Sequence, residues 1–397
     1  MSGATLTLHP RGSPGGSAGG GWIVSRPYDL FWFFGGALLA LAALGLHFGL
    51  GASILLLWWV WLLAFDGPHI AAAFTRTYVD LEEWRSRARV LVTSLLTFAI
   101  GPVALVLNLV TGREEPFFLF LAVGTFYAYY HIVRQHYGFL ALYKAKGGER
   151  SALDFRLDKW ALYVGLWAPY AYFVLTHEKA RALVGVPREG ALDLVARVGA
   201  TLAAAAFFAA AGALVVRSIV LAGRGALNRP KVAYALIALG LHAAIYFFVA
   251  RFEPTYARSA GPDQDFLLIQ VLTTIFHNVQ YMGLVWFHNR NRYGEAPAHA
   301  DLQADYGGVA RFINRSLGHF ALACLLFSVV YLLFACWTGV FAGCQLFLGA
   351  RLGPFTANQI GLCLWWGLAL NHYYLDQKIW RIRGDPALKR NLGLAPA

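Results

Sequence analysis

Ten apolar runs, each about twenty residues long, follow one another along this chain and constrain its fold more than any other feature. A run of roughly 20 apolar residues is long enough to cross the hydrocarbon core of a bilayer as an α-helix. Only 14% of the residues are charged, whereas a soluble domain carries about 25%. Soluble enzymes and nucleic-acid-binding proteins are therefore excluded, and we predict an all-α, polytopic integral membrane helix bundle. The ten predicted spans are 29–50, 52–75, 90–111, 117–143, 159–177, 195–222, 231–251, 264–289, 317–341 and 356–380.

The basic residues fall unevenly on the two sides of these spans. Counted loop by loop, 24 Lys and Arg lie on the side that holds both termini and 8 on the other, while Arg134 lies inside a span. Cytoplasmic loops carry the excess of Lys and Arg, so we predict cytoplasmic termini, in the inner membrane of a bacterium. The predicted divisions are a disordered Gly/Ser/Pro-rich tail at 1–27, one transmembrane domain at 28–384 and a cytoplasmic tail at 385–397.

Four short polar patches interrupt the apolar runs, and each lies in an even-numbered span. They cover residues 65–69, 129–138, 276–281 and 371–378. Their histidines precede the next basic stretch by six to thirteen positions, which is roughly 9–20 Å along a helix. Even-numbered spans all run towards the cytoplasm, so the four patches lie at similar depth in one leaflet. Polar residues inside a membrane are costly and are candidates for a functional site.

Neutral imidazole tolerates a low dielectric and binds iron, zinc and copper, so the patches predict a shared metal site. His131 and His136 are five positions apart, about 140° around a helix, so both can face one metal only across a local bulge. Asp66 and Asp376 lie one turn from His69 and His372, where either could accept the free ring N–H. The predicted ligands are His69, His131, His277 and His372, with His136 as a further candidate.

Three uncharged residues of the patches are predicted to act beside the ligands. Tyr281 lies one turn after His277 and faces the same way, as a ligand, a supporting hydroxyl or a contact to substrate. Gln135 and Gln280 are predicted to tune the site or to touch substrate.

The remaining histidines and the cysteines are interpreted as structural. His288 stands among Asn and Arg residues and is expected to contact lipid headgroups, while His242 and His319 are reserves if the ligand set is larger. The four cysteines form no C-x-x-C pair and are interpreted as inert buried thiols. They are Cys324, Cys336, Cys344 and Cys363.

The H-x-x-x-H and H-x-x-H-H boxes typical of membrane desaturases and hydroxylases are absent from the sequence. The patches resemble those of the bacterial Brp/Blh-type membrane β-carotene dioxygenases, with a Gly-Pro-His motif at His69 followed by His131, His277 and His372. That family has a His-x-x-x-His pair, and the second member is Tyr281 here. The resemblance covers only these patches. It implies a non-haem iron centre that acts with O₂ on a lipophilic polyene.

We therefore predict a membrane oxidoreductase that uses His-ligated Fe²⁺ and O₂ on a long-chain lipid or a carotenoid, with zinc or copper as less favoured metals. No flavin, haem or nucleotide motif is present, so any electron donor is external, and nucleic acid is not an expected partner. One alternative is a metal-ion or proton transporter, although such a path needs polar residues at several depths. Another is a metal-free lipid transferase or hydrolase that uses His and Asp as acid and base.

Overall fold

The computed structural model describes residues 20–251, 265–294, 305–339 and 344–394. Within these ranges the chain is almost wholly helical, and its one sheet is a hairpin of two antiparallel strands, β1 (Arg351–Leu352) and β2 (Phe355–Thr356). The predicted all-α class is confirmed. Most of the predicted N-terminal tail lies outside the described residues.

Each predicted span coincides with a long helix. Three of these helices carry many polar residues: α5 (Ala152–Thr176), α9 (Asp265–Tyr293) and α12 (Ala357–Ile379). The other seven are long and apolar enough to cross a membrane, so the protein is an integral membrane helix bundle, while the count of ten spans stays a prediction. The seven are α1 (Arg26–Leu50), α2 (Ile54–Thr75), α3 (Leu81–Thr111), α4 (Glu115–Lys146), α7 (Gly190–Gly223), α8 (Arg229–Phe248) and α11 (Leu317–Trp337).

Short elements connect the long helices. Val249–Arg251 continues α8 as one 3-10 turn. Side-chain caps fix several helix starts, because they satisfy backbone N–H groups that have no partner inside the helix. Thr356, for example, begins α12 with a reciprocal capping box to Gln359. The short helices are α6 (Glu178–Leu183), α10 (Gly308–Ile313) and α13 (Pro386–Asn391).

Helix α9 lies at the centre of the bundle, in contact with α1, α2, α4, α8 and α13. Two glycines let its neighbour α1 approach closely. A Cβ at Gly36 would lie 2.8 Å from the Cα of Phe276, and a Cβ at Gly283 would lie 2.5 Å from the Cβ of Trp32. Because nearly every side of α9 meets another helix, its polar residues face protein rather than lipid.

Two of the four cysteines form a disulfide, so their interpretation as free thiols is wrong. Cys336, near the end of α11, pairs with Cys344 in the connection that follows. Nothing in the sequence indicated this pair, because a spacing of eight residues is compatible with many backbone paths. Cys324 and Cys363 are free and buried, as expected.

Candidate metal centre

The four histidines predicted from their depth meet at one place between α2, α4, α9 and α12. The ring of His69 lies 4.7 Å from that of His277 and 4.4 Å from that of His372, measured between ring centres. The ring of His131 lies 4.9 Å from that of His277, 5.0 Å from that of His372 and 6.2 Å from that of His69. All four side chains are buried.

These separations suit coordination of one metal ion. Two imidazoles bound through nitrogens about 2.0–2.1 Å from a metal have ring centres about 4.4–6.3 Å apart, for bond angles between 90° and 180°. All five measured separations fall in that range. Among the described residues, two groups have ligand atoms within 4.8 Å of one another, and the groups share His131. One is His69, His131 and His277, and the other is His131, His372 and Asp376.

Local structure in α2 presents His69 to the centre. Pro68 has no N–H and its ring collides with the carbonyl one turn earlier, and the helix opens into a π-turn at Leu62–Asp66 directly before Gly67. Such turns are frequent at functional sites. Gly67 then lets α2 lie against α11, since a Cβ there would meet the Oγ of Ser328 at 2.5 Å. In α2 a widened turn is thus followed by close helix packing.

Asp376 supplies the centre with a carboxylate. Its Oδ2 lies 3.6 Å from the Nε2 of His372 and 3.7 Å from the Nε2 of His131. Its other oxygen accepts a hydrogen bond from the hydroxyl of Tyr281. The sequence predicted only the contact of Asp376 with His372. Spacing along α12 indicates which of its own residues share a face, but it does not indicate which residues of α4 and α9 that face meets. The carboxylate is close enough to be a ligand itself.

The chemistry of the donor set fits a metal ion. Buried polar atoms are almost always hydrogen-bonded, and an unpaired one costs on the order of 1–3 kcal/mol. Here five buried ring nitrogens have no hydrogen-bond partner within the described part of the chain. They are Nδ1 of His69, His277 and His372, and Nε2 of His131 and His372. A bound cation would satisfy several of these lone pairs together, and Asp376 would balance part of its charge.

Tyr281 lies directly against the centre, with its ring 4.6 Å from that of His69 and 5.3 Å from that of His372. The two glutamines have backbone partners. Gln135 donates to the carbonyl of His277 at 2.7 Å, and Gln280 donates to the carbonyl of Phe33 at 3.1 Å. These contacts hold α9 against α4 and α1, and the predicted contact of either glutamine with substrate stays a prediction.

His136 belongs to neither group of possible metal ligands. Its Nδ1 forms a 2.7 Å hydrogen bond with the hydroxyl of Tyr234, and its ring packs 5.3 Å from that of His242. The five-residue separation from His131, about 140° on a helix, turns the two rings in different directions. His136 and His242 thus form a buried pair beside the centre, and the role of His136 as a ligand stays a prediction.

Asp66 accepts hydrogen bonds from Tyr331 at 2.8 Å and from Asn278 at 3.5 Å. Tyr331, on α11, was not among the predicted site residues, because odd-numbered spans hold few polar groups and an isolated tyrosine there gives no signal. The predicted hydrogen bond between Asp66 and His69 remains a prediction. Through Tyr331 and Asn278 the carboxylate of Asp66 connects α2 to α11 and α9.

Two of the remaining histidines lie apart from the four ligand candidates. The predicted headgroup contact of His288 is wrong, because this side chain is buried and hydrogen-bonds to Asn289 and Asn391. The charged residues next to His288 in the sequence suggested the membrane surface. They could not reveal that the C-terminal segment covers this end of α9. His319 pairs with Ser316 at the start of α11.

Tyr373 is a further contact that depth alone did not single out. Its ring stacks on that of His131 with 4.4 Å between centres and is only partly buried. It therefore separates the histidine centre from the lipid-facing surface by the thickness of one ring.

Comparison of the chain with protein-family models, curated proteins and solved structures gives no match.

Proposed function

We propose that the protein is a membrane-embedded non-haem iron oxygenase that acts with O₂ on a lipophilic substrate, either a long-chain lipid or a polyene. The observation that carries the proposal is the convergence of four buried histidines with unpartnered ring nitrogens and one carboxylate. Imidazole and carboxylate with open coordination positions are the ligands typical of non-haem Fe(II) oxygenases. Zinc and copper also bind imidazole. Iron is the favoured metal of the three because a carboxylate stands beside the imidazoles in this ligand set.

In this proposal the chain holds the metal and orders its ligands. His69, His131, His277 and His372 bind through ring nitrogens, and Asp376 binds or lies directly beside them. Tyr281 keeps one oxygen of Asp376 occupied, which fixes the direction of the carboxylate. A bound ferrous ion supplies one-electron chemistry with dioxygen that organic side chains lack.

The surroundings favour an apolar substrate. The histidines are buried inside a helix bundle whose exposed surface carries many Leu, Val and Phe side chains, which favours a substrate that reaches the centre from lipid. A reaction that inserts both oxygen atoms of O₂ into the substrate needs no further electrons. Hydroxylation or desaturation needs two further electrons, which an external donor must deliver.

We also propose that both termini are cytoplasmic and that the membrane is the inner membrane of a bacterium. The excess of basic residues on the side of the termini supports this orientation. In a ten-span arrangement α11 ends on the opposite side, where the disulfide Cys336–Cys344 lies. Disulfides persist in oxidising compartments such as the bacterial periplasm.

Elemental analysis of the detergent-purified protein tests the proposal. We expect about one or two iron atoms per chain, and loss of most of this metal in His277→Ala, because the remaining ligands no longer enclose the ion. The matched control is His319→Ala, which removes an imidazole bound to Ser316 at the start of α11 and should keep full metal content.

Three outcomes would contradict the proposal. Full metal stoichiometry in His277→Ala would exclude this ligand set. A wild-type protein purified without any metal would favour the metal-free transferase or hydrolase. Uptake of metal ions into proteoliposomes would favour the transporter.

A further inference from the structure

Arg134 is an exposed arginine on a helix that is apolar enough to cross the membrane. It lies ten residues before Lys144, about 15 Å along α4. A cation at this depth in lipid is costly unless it reaches water or an anion. Arg134 makes no ion pair with any described residue, and its guanidinium donates to the hydroxyl of Tyr130 at 3.4 Å.

A second cation that has no ion pair among the described residues lies on the neighbouring helix. Lys159 of α5 is exposed, and its Nζ lies 5.8 Å from the ring centre of Tyr137 and 6.0 Å from that of Tyr163. The guanidinium of Arg134 also lies beside Tyr163. The carboxylates of α5, Asp154 and Asp158, are both engaged by other cations. Asp154 pairs with Arg217, and Asp158 pairs with Lys144 and Lys231. The two cations therefore form a positive surface to which the described part of the chain supplies no paired carboxylate.

A row of tyrosines connects this surface to the histidine centre. Tyr130 stacks on Tyr127 with 5.9 Å between ring centres, and Tyr127 lies 5.9 Å from Tyr373. Tyr373 in turn stacks on His131 at 4.4 Å. All three tyrosines are only partly buried. The face between α4 and α12 thus runs from a cation to a candidate metal ligand along aromatic rings open to lipid.

From this arrangement we propose that the substrate is a single-chain lipid with a carboxylate head, which Arg134 and Lys159 bind while the chain lies along the tyrosines towards His131. That this lipid is a substrate, and not only a ligand, rests on the proposed function. Arginine matches the two oxygens of a carboxylate and forms charge-assisted hydrogen bonds with it. The apolar rings suit the hydrocarbon chain, which has no hydrogen bonds to satisfy.

The position of Arg134 favours a single-chain acid over a phospholipid. Arg134 is three residues from His131, a rise of about 4.5 Å, so the head it binds lies close to the centre. A phospholipid carries two chains and a glycerol, and its headgroup stays at the membrane surface. An uncharged hydrocarbon such as a carotene would leave both cations without a partner.

Binding of palmitate to the full-length protein in phosphatidylcholine nanodiscs tests the inference, with hexadecanol as the uncharged probe of equal chain length. We expect wild type to bind palmitate roughly tenfold or more tightly than hexadecanol, the effect of one charge-assisted pair. Arg134→Gln should reduce this preference, and Arg134→Gln combined with Lys159→Gln should abolish it. Arg224→Gln removes an exposed arginine that follows α7 and should keep it. Phosphatidylglycerol added to the nanodiscs should not displace palmitate.

Equal binding of the two probes by wild type would overturn the inference, and so would a preference that survives unchanged in the double variant of Arg134 and Lys159. Displacement of palmitate by phosphatidylglycerol would assign the surface to phospholipid instead. The iron content of the same samples separates this inference from the proposed function. Bound metal without palmitate preference refutes the acidic substrate alone, whereas palmitate preference without any metal refutes the oxygenase alone.

Discussion

At the scale of single residues, the candidate centre depends on a few polar atoms whose partners lie on other helices. The depth of each histidine could be read from the sequence, because it follows from the distance to the next basic loop. The hydrogen bond between Tyr281 and Asp376 could not, because it joins α9 to α12. Spacing along one helix indicates which residues share a face, and it says nothing about what that face meets.

Removal of one hydroxyl tests the support that Tyr281 gives to Asp376. In Tyr281→Phe the ring still fits, but one oxygen of Asp376 loses its donor. We expect the protein to fold and its metal affinity to fall by roughly 10- to 100-fold, the usual effect of losing a supporting hydrogen bond to a ligand. Competition with a chelator of known affinity measures the change.

The control for this experiment is Tyr129→Phe. The hydroxyl of Tyr129 donates to the carbonyl of Leu166 at 2.6 Å, so its loss should cost about 1 kcal/mol of stability and leave metal affinity unchanged. An unchanged affinity in Tyr281→Phe would show that Asp376 needs no orientation by this hydroxyl.

At the scale of helices, the site is built where regular helix geometry is interrupted. Pro68 lacks the N–H that would continue a regular helix, and the structure has a π-turn at Leu62–Asp66, which ends two residues before it. What the sequence did not indicate is the close contact of Gly67 with Ser328. A glycine in an apolar run is compatible with many neighbours, and only the packed helices reveal which one requires it.

Gly67→Ala tests whether this contact positions His69. The new Cβ would lie 2.5 Å from the Oγ and 3.0 Å from the Cα of Ser328, so α2 must move away from α11. We expect a loss of about 1–3 kcal/mol in stability, typical of overpacking, together with weaker metal binding. Thermal unfolding and metal content measure the two effects.

Two further variants separate crowding from loss of glycine itself. Gly45→Ala in α1 adds a Cβ with no atom within 4 Å and should leave stability unchanged or raise it. Ser328→Gly combined with Gly67→Ala should recover part of the lost metal binding. If the double variant is as defective as Gly67→Ala alone, the contact with Ser328 does not control the position of His69.

At the scale of the whole molecule, polar side chains are concentrated on helices that lie inside the bundle. Helices α9 and α12 carry two of the four histidines, and they are among the three long helices that are less apolar than the rest. Their polar side chains are largely turned towards other helices. A helix surrounded by protein can carry polar groups that a lipid-facing helix cannot.

The predicted orientation can be measured with reporter fusions in a bacterial host. We expect alkaline phosphatase fused after residue 394 to be inactive and green fluorescent protein at the same place to fluoresce, because the proposed orientation puts the C-terminus in the cytoplasm. Truncation after Gly349, in the exposed connection that follows the disulfide, should give active phosphatase. The reverse pattern at both positions would invert the orientation, and equal results at the two would remove α12 as a span.

The sequence by itself determined the class of the molecule, the extent of its long helices and the common depth of four histidines. These follow from hydropathy and helical rise, which depend on residues near one another in the chain. Only the tertiary structure decided which polar groups meet: His136 turns to Tyr234, Asp66 to Tyr331, and Asp376 to Tyr281 and two histidines. Each of these contacts depends on how helices distant in sequence rotate and pack. The hydropathy of a helix that is surrounded by other helices indicates almost nothing about its rotation around its own axis.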